Sequence, residues 1–427
     1  MRRLLFLSYY TPPRAGVATT RTRQLVRYLP EHGWEVQVVT AELPGADENV
    51  IQTPYLDLSA AVKQAVGFGS KSAHATLGVA VAPKGQRLSL KQRAFSFGYT
   101  LLNYPDPEVG WFPRGRGVVG ELLRSGRFDA ILSSSPPFTT NLILASLTPK
   151  IPWVADFRDL WSDSGYYGSG VRNAVDSVLE RWTLRSVDAV TTISEPLARV
   201  LRSHRKDVPV EVIPNAFDPE EWAGVPFELG DACTFLYAGQ FFQGRRDPRP
   251  LFEAIRSLID DGTILADEVR VDLYAKSEAW LTQAIEVNRL QPVVRVMGFV
   301  SREAVMAAER RANRLLVLLW EGANTEGIVT GKLFEYLGAR RPILAVGGPE
   351  RSAIDDVLTT TQSGGRVRTA AALKEAVRAA VEEHRAHRVP IVDAEHLIPF
   401  SASTIAGSFA RLLDRVVDAQ HIARPAI

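Results

Sequence analysis

Residues 3–40 of the 427-residue chain read RLLFLSYYTPPRAGVATTRTRQLVRYLPEHGWEVQVVT. An apolar strand is predicted at Arg3–Tyr9, followed by a loop that contains proline and glycine. A helical pattern then runs to Gly33, and residues 35–40 alternate as a second strand would. The stretch has the size of a β-α-β crossover, in which a helix joins two parallel strands. It therefore predicts an α/β fold with a parallel sheet.

The alternation of strands and helices continues along the chain. In the first half, further strands are predicted at 130–132, 152–155, 187–193 and 210–213. A helix with one apolar face is predicted at 171–182. That face consists of Val171, Ala174, Val175, Val178, Leu179 and Trp182. A second series of strands is predicted at 234–238, 269–274, 294–297, 315–320 and 343–346. The pattern predicts doubly wound sheets with helices on both faces.

The order of these elements divides the chain into two domains of similar size. A prior of about 150 residues per domain suggests two or three domains for this length. We assign 1–218 to an N-terminal domain, 219–230 to a linker and 231–400 to a C-terminal domain. The last segment, 401–427, is predicted as a helix that could pack back on the N-terminal domain. Ligands of open α/β sheets bind beyond the carboxyl ends of the strands, so the two domains are expected to face a central cleft.

The composition excludes several classes of protein. The 50 basic and 48 acidic side chains give a net charge of +2, which is too small to indicate a nucleic-acid partner. The single cysteine, Cys233, can neither close an intrachain disulfide nor share a zinc site with other cysteines. No apolar run has the length of a signal-peptide core or a membrane span, which predicts a cytoplasmic protein. No Asp-x-Asp motif or histidine spacing indicates a metal, and no cofactor is expected.

Residues 321–337 read EGANTEGIVTGKLFEYL and follow a strongly apolar strand. A glycine-rich loop that enters a helix presents backbone N–H groups and the positive end of the helix dipole, which suits a diphosphate. Lys332 adds a positive charge, and Glu335 lies about 7.5 Å beyond Thr330 along the helix axis, within reach of a ribose. The alternative is a capped surface helix with Lys332 and Glu335 in solvent. The predicted donor-binding residues here are Gly327, Ile328, Val329, Thr330, Gly331 and Glu335.

This loop is not a Walker A motif. Three residues rather than four separate Gly327 from Gly331, and Leu333 follows Lys332 where the motif needs serine or threonine. Hydrolysis of a nucleoside triphosphate is therefore disfavoured. The architecture alone fits glycosyl transfer, sugar-nucleotide epimerisation or a non-catalytic two-lobed binding protein.

Charged residues follow the predicted strand at 152–155. Asp156, Arg158 and Asp159 should lie at the carboxyl end of that strand, where a carboxylate could orient or deprotonate an acceptor hydroxyl. The alternative is a structural Asp–Arg pair. Gly16 lies where the first strand leads into the first helix, so the backbone there could approach the phosphates or the transferred sugar.

The chain resembles the retaining GT-B glycosyltransferases of glycosyltransferase family 4. The similarity covers most of the chain and rests on several segments in the family's order. In the first half these are YYTPP at 9–13 with Gly16 and Arg21, GWEVQVVT at 33–40, DFRDLW at 156–161, TTISE at 191–195 and VIPNAFD at 212–218. In the second half they are YAG at 237–239, GFV at 298–300, GKLFEYL at 331–337 and RPIL at 341–344.

The resemblance implies a GT-B fold, with two Rossmann-like domains and a nucleotide-sugar donor held mainly by the C-terminal domain. The family's paired-glutamate motif places two acids eight positions apart. Glu335 matches the second acid and with it the ribose-binding role. Gly327 stands eight positions before Glu335, and the nearest acid is Glu326, so the sugar-contacting role would pass to Glu326 or to backbone N–H groups of 327–329.

Two further donor-side features are carried over from the family. A basic pair after the first strand of the C-terminal domain neutralises the diphosphate, and Arg245 and Arg246 match it. Arginine suits phosphate because its guanidinium donates two parallel hydrogen bonds. A loop that frames the nucleobase is matched by Gly298, Phe299 and Val300. Arg21, Arg158 and Asp159 are assigned to the acceptor side.

The leading prediction is a glycosyltransferase that moves a sugar from a nucleoside-diphosphate sugar to an acceptor hydroxyl, with retention and without a metal. Its predicted catalytic residues are Asp156, Arg245, Lys332 and Glu326. Two alternatives remain: a GT-B enzyme that epimerises or hydrolyses a sugar nucleotide, and a non-catalytic relative that binds one. The acceptor could be a glycan, a lipid-linked molecule or a small molecule.

The stretch 58–105 contains no aspartate or glutamate. Its basic residues are Lys63, Lys71, Lys84, Arg87, Lys91 and Arg93, and aromatic residues are interleaved with them. Anionic lipid attracts such a stretch by about 1 kcal/mol per basic residue near the surface. It could therefore dock the protein on the cytoplasmic membrane face or grip an anionic lipid-linked acceptor. The alternative is an insertion that packs its aromatic residues on its own domain.

Overall fold

A computed structural model describes residues 1–14, 16–47, 49–56, 102–163, 171–242, 244–320, 322 and 325–423. The chain forms two compact units. Unit 1 consists of Met1–Thr192, Leu201–Glu211 and Ala410–Ile427, and unit 2 consists of Ile193–Val200 and Val212–Phe409. Among the described helices, none combines the length and apolar character that crossing a bilayer requires. Nearly all of the predicted stretch 58–105 lies outside the described residues.

Unit 1 is built on a seven-stranded sheet with the order β3-β2-β1-β4-β5-β6-β7. Its strands are β1 Arg2–Ser8, β2 Trp34–Ala41, β3 Ile51–Thr53, β4 Ala130–Ser135, β5 Trp153–Phe157, β6 Ala189–Thr192 and β7 Val210–Val212. The strand pairs from β3 to β6 are parallel. The order reverses between β1 and β4, which makes the carboxyl ends of these two strands the switch point of the sheet.

Helices connect these strands. The described ones are α1 Val17–Tyr28, α2 Phe112–Arg124, α3 Thr139–Ala145, α4 Val171–Leu184 and α5 Glu195–His204, with 3₁₀ turns at Leu29–His32 and Pro107–Trp111. The first crossover follows its sequence pattern closely. Leu4–Leu7 of β1 are fully buried, and the 3₁₀ turn after α1 ends at Gly33, whose φ of 87° suits glycine.

Unit 2 is built on a six-stranded parallel sheet with the order β10-β9-β8-β11-β12-β13. Its strands are β8 Cys233–Ala238, β9 Val269–Tyr274, β10 Val294–Val296, β11 Arg314–Leu319, β12 Ile343–Gly347 and β13 Gly364–Val367. The switch point lies between β8 and β11. Cys233 opens β8 inside the core, and burial raises the pKa of its thiol to about 12.

The described helices of unit 2 continue the numbering. They are α6 Arg249–Asp260, α7 Ala279–Val287, α8 Arg302–Arg311, α9 Gly331–Ala339, α10 Ala353–Thr361, α11 Ala370–Arg385 and α12 Ala394–Leu397, with 3₁₀ turns at Pro219–Trp222 and Ile398–Phe400. The last helix, α13 Ala402–Ala423, begins in unit 2, and its residues from Ala410 onward belong to unit 1. There Asp414 pairs with Arg2 at 2.6 Å.

The segment predicted as a linker, 219–230, lies within unit 2. Its 3₁₀ turn buries Trp222 against α9 at Gly338, and a Cβ atom at Gly338 would lie only 2.0 Å from the indole Nε1. Arg310 of α8 donates to the Val225 carbonyl of the same segment. Although its composition is polar, the segment 219–230 therefore packs against α8 and α9.

Helix α4 turns part of its predicted apolar face towards solvent. Val175, Val178 and Trp182 are 43%, 63% and 37% exposed, whereas Asp176 and Glu180 are 1% exposed. The two buried carboxylates are compensated by hydrogen bonds from other segments, as buried charges require. Asp176 accepts from the Tyr104 hydroxyl at 2.7 Å and from the Trp161 indole at 3.0 Å, and Glu180 accepts from the Ser162 backbone at 3.2 Å. Polar partners thus decide which face of α4 turns inward.

Candidate functional site

The switch point of unit 2 brings together the loops that follow β8 and β11. Arg245 and Arg246 come from the first loop, and Trp320 comes from the second. Both guanidinium carbons lie over the Trp320 ring, at 5.8 and 5.7 Å from its centroid. Phe242 meets the same ring edge-on at 5.6 Å. Two cations on one aromatic surface, at the position where α/β sheets bind ligands, make a suitable anion site.

A shallow cleft of about 320 Å³, open to solvent, adjoins this cluster. It is lined by Arg246, Leu318, Leu319, Trp320, Thr325, Ile328, Thr330, Pro349 and Ser352. The cleft thus joins one of the predicted phosphate-binding arginines to three residues of the polar loop that precedes α9.

Helix α9 begins at Gly331 beside this cleft. Its N-cap residue, Thr330, is extended and makes no capping hydrogen bond with its side chain. The first N–H groups of a helix have no partner within the helix, so a helix without a side-chain cap offers them to a ligand. The predicted donor residues Ile328 and Thr330 line the cleft, whereas Val329 is buried.

Steric contacts explain why a glycine stands at position 327. A Cβ atom there would lie 2.7 Å from Cδ2 of Leu197 and 3.2 Å from the Ser194 hydroxyl. Ser194 also donates to the Gly327 carbonyl at 2.8 Å. A side chain at this position would therefore require Leu197 to move. Glu326 is exposed, and its carbonyl accepts from the Ala353 backbone at 2.8 Å.

Lys332 and Glu335 form an ion pair on α9. The lysine Nζ donates to Glu335 Oε2 at 2.7 Å, and Arg302 of α8 lies 3.5 Å from Oε1. Arg302 also pairs with Glu221 at 2.6 Å. The Glu335 carboxylate thus lies between two cations, and Lys332 is placed at the first turn of α9, where a phosphate could compete for it.

Glu309 on α8 is a buried acid that the sequence reasoning missed. Its side chain is fully buried, and neither carboxylate oxygen has a hydrogen-bond partner among the described residues. Burial raises the pKa of Glu309 well above its usual range, and the nearby charge of Glu335 raises it further. The available signal was its helical spacing, because Glu309 follows Val305 and Met306 by one turn.

The remaining donor-side residues lie at the carboxyl end of β10. Gly298 has a φ of 70°, and Phe299 is 80% exposed. Val300 is also exposed. None of these three residues lines the cleft described above. Their predicted contact with a nucleobase therefore remains a prediction.

In unit 1, Asp156 at the end of β5 is fully buried and saturated with hydrogen bonds. Arg21 donates to both carboxylate oxygens, at 2.9 and 2.8 Å. Ser134 and Thr191 donate to the same carboxylate at 3.1 and 2.8 Å. This geometry fits the alternative of a structural Asp–Arg pair better than a base that removes a proton. Arg158 donates to Ser134 at 3.0 Å, and Asp159 is exposed.

A second cluster at the switch point of unit 1 was missed. Tyr9 and Tyr10 follow β1 and pack edge-on at 5.3 Å, and the Arg14 guanidinium lies 4.1 Å above the Tyr9 ring. Burial and the charge of Asp106 raise the pKa of Glu108 to about 7. Burial also raises the pKa of Tyr10 to about 12, with Glu108 as the next cause. The cluster therefore holds a carboxyl group that titrates near neutral pH.

Gly16 lies near this cluster in sequence, at the N-terminus of α1. Its φ of 132° suits glycine, and a Cβ atom there would meet nothing within 4 Å. Within the described part of the chain, no group of three or more His, Cys, Asp or Glu side chains has the arrangement of a metal site.

The sequence comparison matches mainly unit 1, whereas the structural comparisons cover nearly the whole chain. Residues 16–216 match the family model described as a glycosyl transferase 4-like domain. This part of the chain is similar to glycosyl transferase 4-like domains. No curated protein sequence matches the chain. The family match covers most of unit 1, including Gly16, Arg21, Glu108 and Asp156.

Solved structures show that the fold of this chain is GT-B. Sucrose-phosphate synthase from Thermosynechococcus elongatus has a TM-score of 0.62 and 14% identity, over 98% of this chain and 100% of its own. AviGT4, a glycosyltransferase involved in avilamycin A biosynthesis, has a TM-score of 0.54 and 13% identity, over 98% of each chain. Anabaena HepE in complex with UDP has a TM-score of 0.53 and 12% identity, over 99% of each.

Proposed function

We propose that this chain transfers a sugar from a nucleoside-diphosphate sugar to an acceptor hydroxyl, with retention of configuration and without a metal. The observation that carries the proposal is the placement of Arg245 and Arg246 against Trp320 at the switch point of unit 2. The first turn of α9 lies beside the same cleft. Guanidinium groups and helix N–H groups stabilise the charge that develops on a leaving diphosphate, as a metal cation would.

On the donor side, Glu335 would accept hydrogen bonds from the ribose hydroxyls. Lys332 would exchange its contact with Glu335 for a phosphate oxygen, since a diphosphate carries more charge than one carboxylate. With no side chain at position 327, the sugar would meet backbone N–H groups of the loop, or Glu326 after a side-chain movement. A UDP complex is known for the fold relative HepE, so uridine is the first nucleobase to test.

On the acceptor side, the cluster of Tyr9, Tyr10, Arg14 and Glu108 in unit 1 would orient the acceptor hydroxyl. Glu108 can take part in proton transfer at neutral pH, because its pKa lies at about 7. Asp156 would act through Arg21, by holding that guanidinium in place. The acceptor class stays open among a glycan, a lipid-linked molecule and a small molecule.

The proposal is tested in two steps. The melting temperature is measured with UDP, GDP, ADP and dTDP, each with and without EDTA. A ligand at a hundred times its dissociation constant should stabilise the protein by about 2.7 kcal/mol. Sugar derivatives of the nucleotide that binds are then assayed for turnover, with and without an acceptor panel. The anomeric configuration of the product is read by NMR.

The double variant Arg245→Ala, Arg246→Ala should lower turnover more than nucleotide binding, because the arginines act on charge that grows during bond breaking. Arg289→Ala is the matched control, since Arg289 is an exposed arginine of unit 2 that pairs only loosely with Asp260, at 3.4 Å. Turnover at the same rate without an acceptor would indicate an epimerase or hydrolase instead. Tight binding without turnover would indicate a non-catalytic relative.

A further inference from the structure

Helix α4 presents an exposed apolar face, which we call the outer face of α4. It consists of Val175, Val178, Arg181 and Trp182, and Arg185 continues it just beyond the helix. Residues three and four apart lie on the same side of a helix, so these side chains form one stripe about 15 Å long. Contiguous exposed apolar surface rimmed by charge marks an interaction site on a soluble unit.

The opposite face of α4 holds the helix in this orientation. Asp176 accepts from Tyr104 and Trp161, and Glu180 accepts from Ser162 and faces His204 at 3.5 Å. A rotation that buried the two valines would break these hydrogen bonds and move both carboxylates. The exposure of the outer face is therefore built into unit 1, because partners from several other segments fix it.

The outer face carries positive charge without acidic neighbours of its own. Arg181 and Arg185 are exposed, and neither guanidinium pairs with a carboxylate among the described residues. The two acids of α4 are both on the buried side. On nearby segments, Asp163 pairs with His204 at 2.8 Å and Asp207 pairs with Arg205 at 3.1 Å. The net charge of the stripe is therefore +2.

We propose that the outer face of α4 docks unit 1 on an anionic lipid surface. Valine and tryptophan side chains on one stripe, flanked by arginine, are the composition of a helix that lies in the membrane interface. Arginine can reach phosphate headgroups while its methylene stem lies along apolar surface. A stripe on one helix is also small compared with the roughly 800 Å² per partner of a standard protein interface.

A second feature adjoins the same helix. Tyr104 and Pro105, at the end of the acid-free stretch 58–105, contact α4: the Tyr104 hydroxyl donates to Asp176, and Arg172 donates to the Pro105 carbonyl at 3.0 Å. The basic residues of that stretch precede Tyr104 in the sequence and lie outside the described residues.

The test is co-sedimentation of the full-length protein with vesicles of phosphatidylcholine alone or mixed with phosphatidylglycerol, at low and high salt. We expect binding to the anionic vesicles that weakens with salt. Total binding also reports on the stretch 58–105, so the decisive measurement is the difference between variants of the outer face and matched controls.

Val178→Asp should reduce binding to anionic vesicles at both salt concentrations, because it places a carboxylate in the apolar stripe. Val287→Asp is the control, since Val287 on α7 of unit 2 is 73% exposed. The double variant Arg181→Ala, Arg185→Ala should lower the partition coefficient at low salt by roughly 30-fold, from about 1 kcal/mol per basic side chain. Arg114→Ala, Arg124→Ala on α2 is the control of equal net charge.

Equal binding by Val178→Asp and the native protein would overturn the proposal, as would equal losses in the outer-face variants and their controls. No binding of the native protein to either vesicle would also overturn it. Sedimentation velocity of the native protein and Val178→Asp without lipid tests a second copy of the chain as the occupant. A change of oligomeric state in the variant would assign the face to self-association and reject the lipid surface.

Discussion

Two glutamates of unit 2 have opposite electrostatic surroundings. Glu335 lies between Lys332 and Arg302, at 2.7 and 3.5 Å from its two carboxylate oxygens. Glu309 is fully buried without a hydrogen-bond partner in the described part of the chain, and both its burial and the charge of Glu335 favour its protonated form. One unit thus holds one carboxylate in contact with two cations at the candidate site and a second, buried carboxyl group whose pKa is raised.

Glu335→Ala should weaken UDP binding at least tenfold. Two charge-assisted hydrogen bonds to the ribose would be lost, each contributing about 1.5–3 kcal/mol. Isothermal titration calorimetry measures the affinity. Glu221→Ala serves as the control, because it removes the other carboxylate that pairs with Arg302. An unchanged affinity for UDP would place Glu335 outside the nucleotide site.

Glu309→Gln should make the protein more stable at alkaline pH and flatten its stability profile. The pKa of Glu309 is raised in the folded state, so folding retains a proton and native stability falls as the pH rises from the unfolded pKa to the folded one. The steepest loss for one such group is about 1.4 kcal/mol per pH unit. Glutamine keeps the shape and removes the titration.

Urea unfolding of both proteins between pH 5 and pH 9, chosen as a range of about two units around neutrality, measures this difference. Glu303→Gln on the same helix is the control, because its carboxyl group is exposed and hydrogen bonds from its own backbone N–H and then from Ser301 lower its pKa. Parallel profiles for Glu309→Gln and the native protein would mean that Glu309 titrates normally in the fold.

At the level of elements, periodicity and propensity predicted most strands to within a few residues. The strand predicted at 269–274 matches β9, and the predicted face of α6, with Leu251, Phe252, Ile255 and Leu258, is buried. The orientation of α4 could not be predicted in this way. An apolar stripe indicates which face is apolar, but the side that is buried depends on partners such as Tyr104 and Trp161, which come from distant parts of the sequence.

Some residues of the candidate site could likewise be found from the local sequence, whereas others depend on tertiary contacts. The loop and helix at 325–335 are selected from a local pattern, a buried strand followed by glycine and charge, whereas the arginines after β8 are carried over from the family resemblance. Glu309 and Glu108 could not be predicted, since their significance comes from burial and from neighbours on other elements. Asp156 was found as a residue, but only the tertiary structure reveals that Arg21, Ser134 and Thr191 occupy its oxygens.

Gly338→Ala in α9 should destabilise unit 2 by about 1–3 kcal/mol, even though alanine is the better helix former. The added Cβ would lie 2.0 Å from Nε1 of the buried Trp222, which would have to move. Gly117→Ala in α2 is the matched helical control, because nothing lies within 4 Å of the Cβ position there. Thermal unfolding compares the two variants. A stabilised Gly338→Ala would show that Trp222 repacks freely.

At the level of the whole molecule, the chain contains two separately organised sheets, each with its own switch point and its own polar cluster. Apart from Gly16, the predicted donor-side residues belong to unit 2, whereas the family match covers residues 16–216, mainly in unit 1. A nucleotide that binds only unit 2 should therefore slow amide exchange in unit 2 and leave unit 1 unchanged.

Hydrogen exchange read by mass spectrometry should reveal that difference. UDP should slow amide exchange in peptides that cover 239–247 and 320–339, because backbone N–H groups there would bind the diphosphate and local opening would be suppressed. Peptides of β2 and β3 in unit 1 provide the internal control. Slower exchange at 9–16 with no change at 320–339 would move the nucleotide site to unit 1.

The burial of Cys233 has a practical consequence for labelling chemistry. It is the only cysteine of the chain, it lies at the start of a core strand, and its thiol stays protonated at neutral pH because burial raises its pKa to about 12. Maleimides react with exposed thiolates, so the native protein should remain unmodified under folding conditions. A cysteine introduced at position 178 would then be the single reactive site, and a polarity-sensitive fluorophore attached there would report the surroundings of that one side chain.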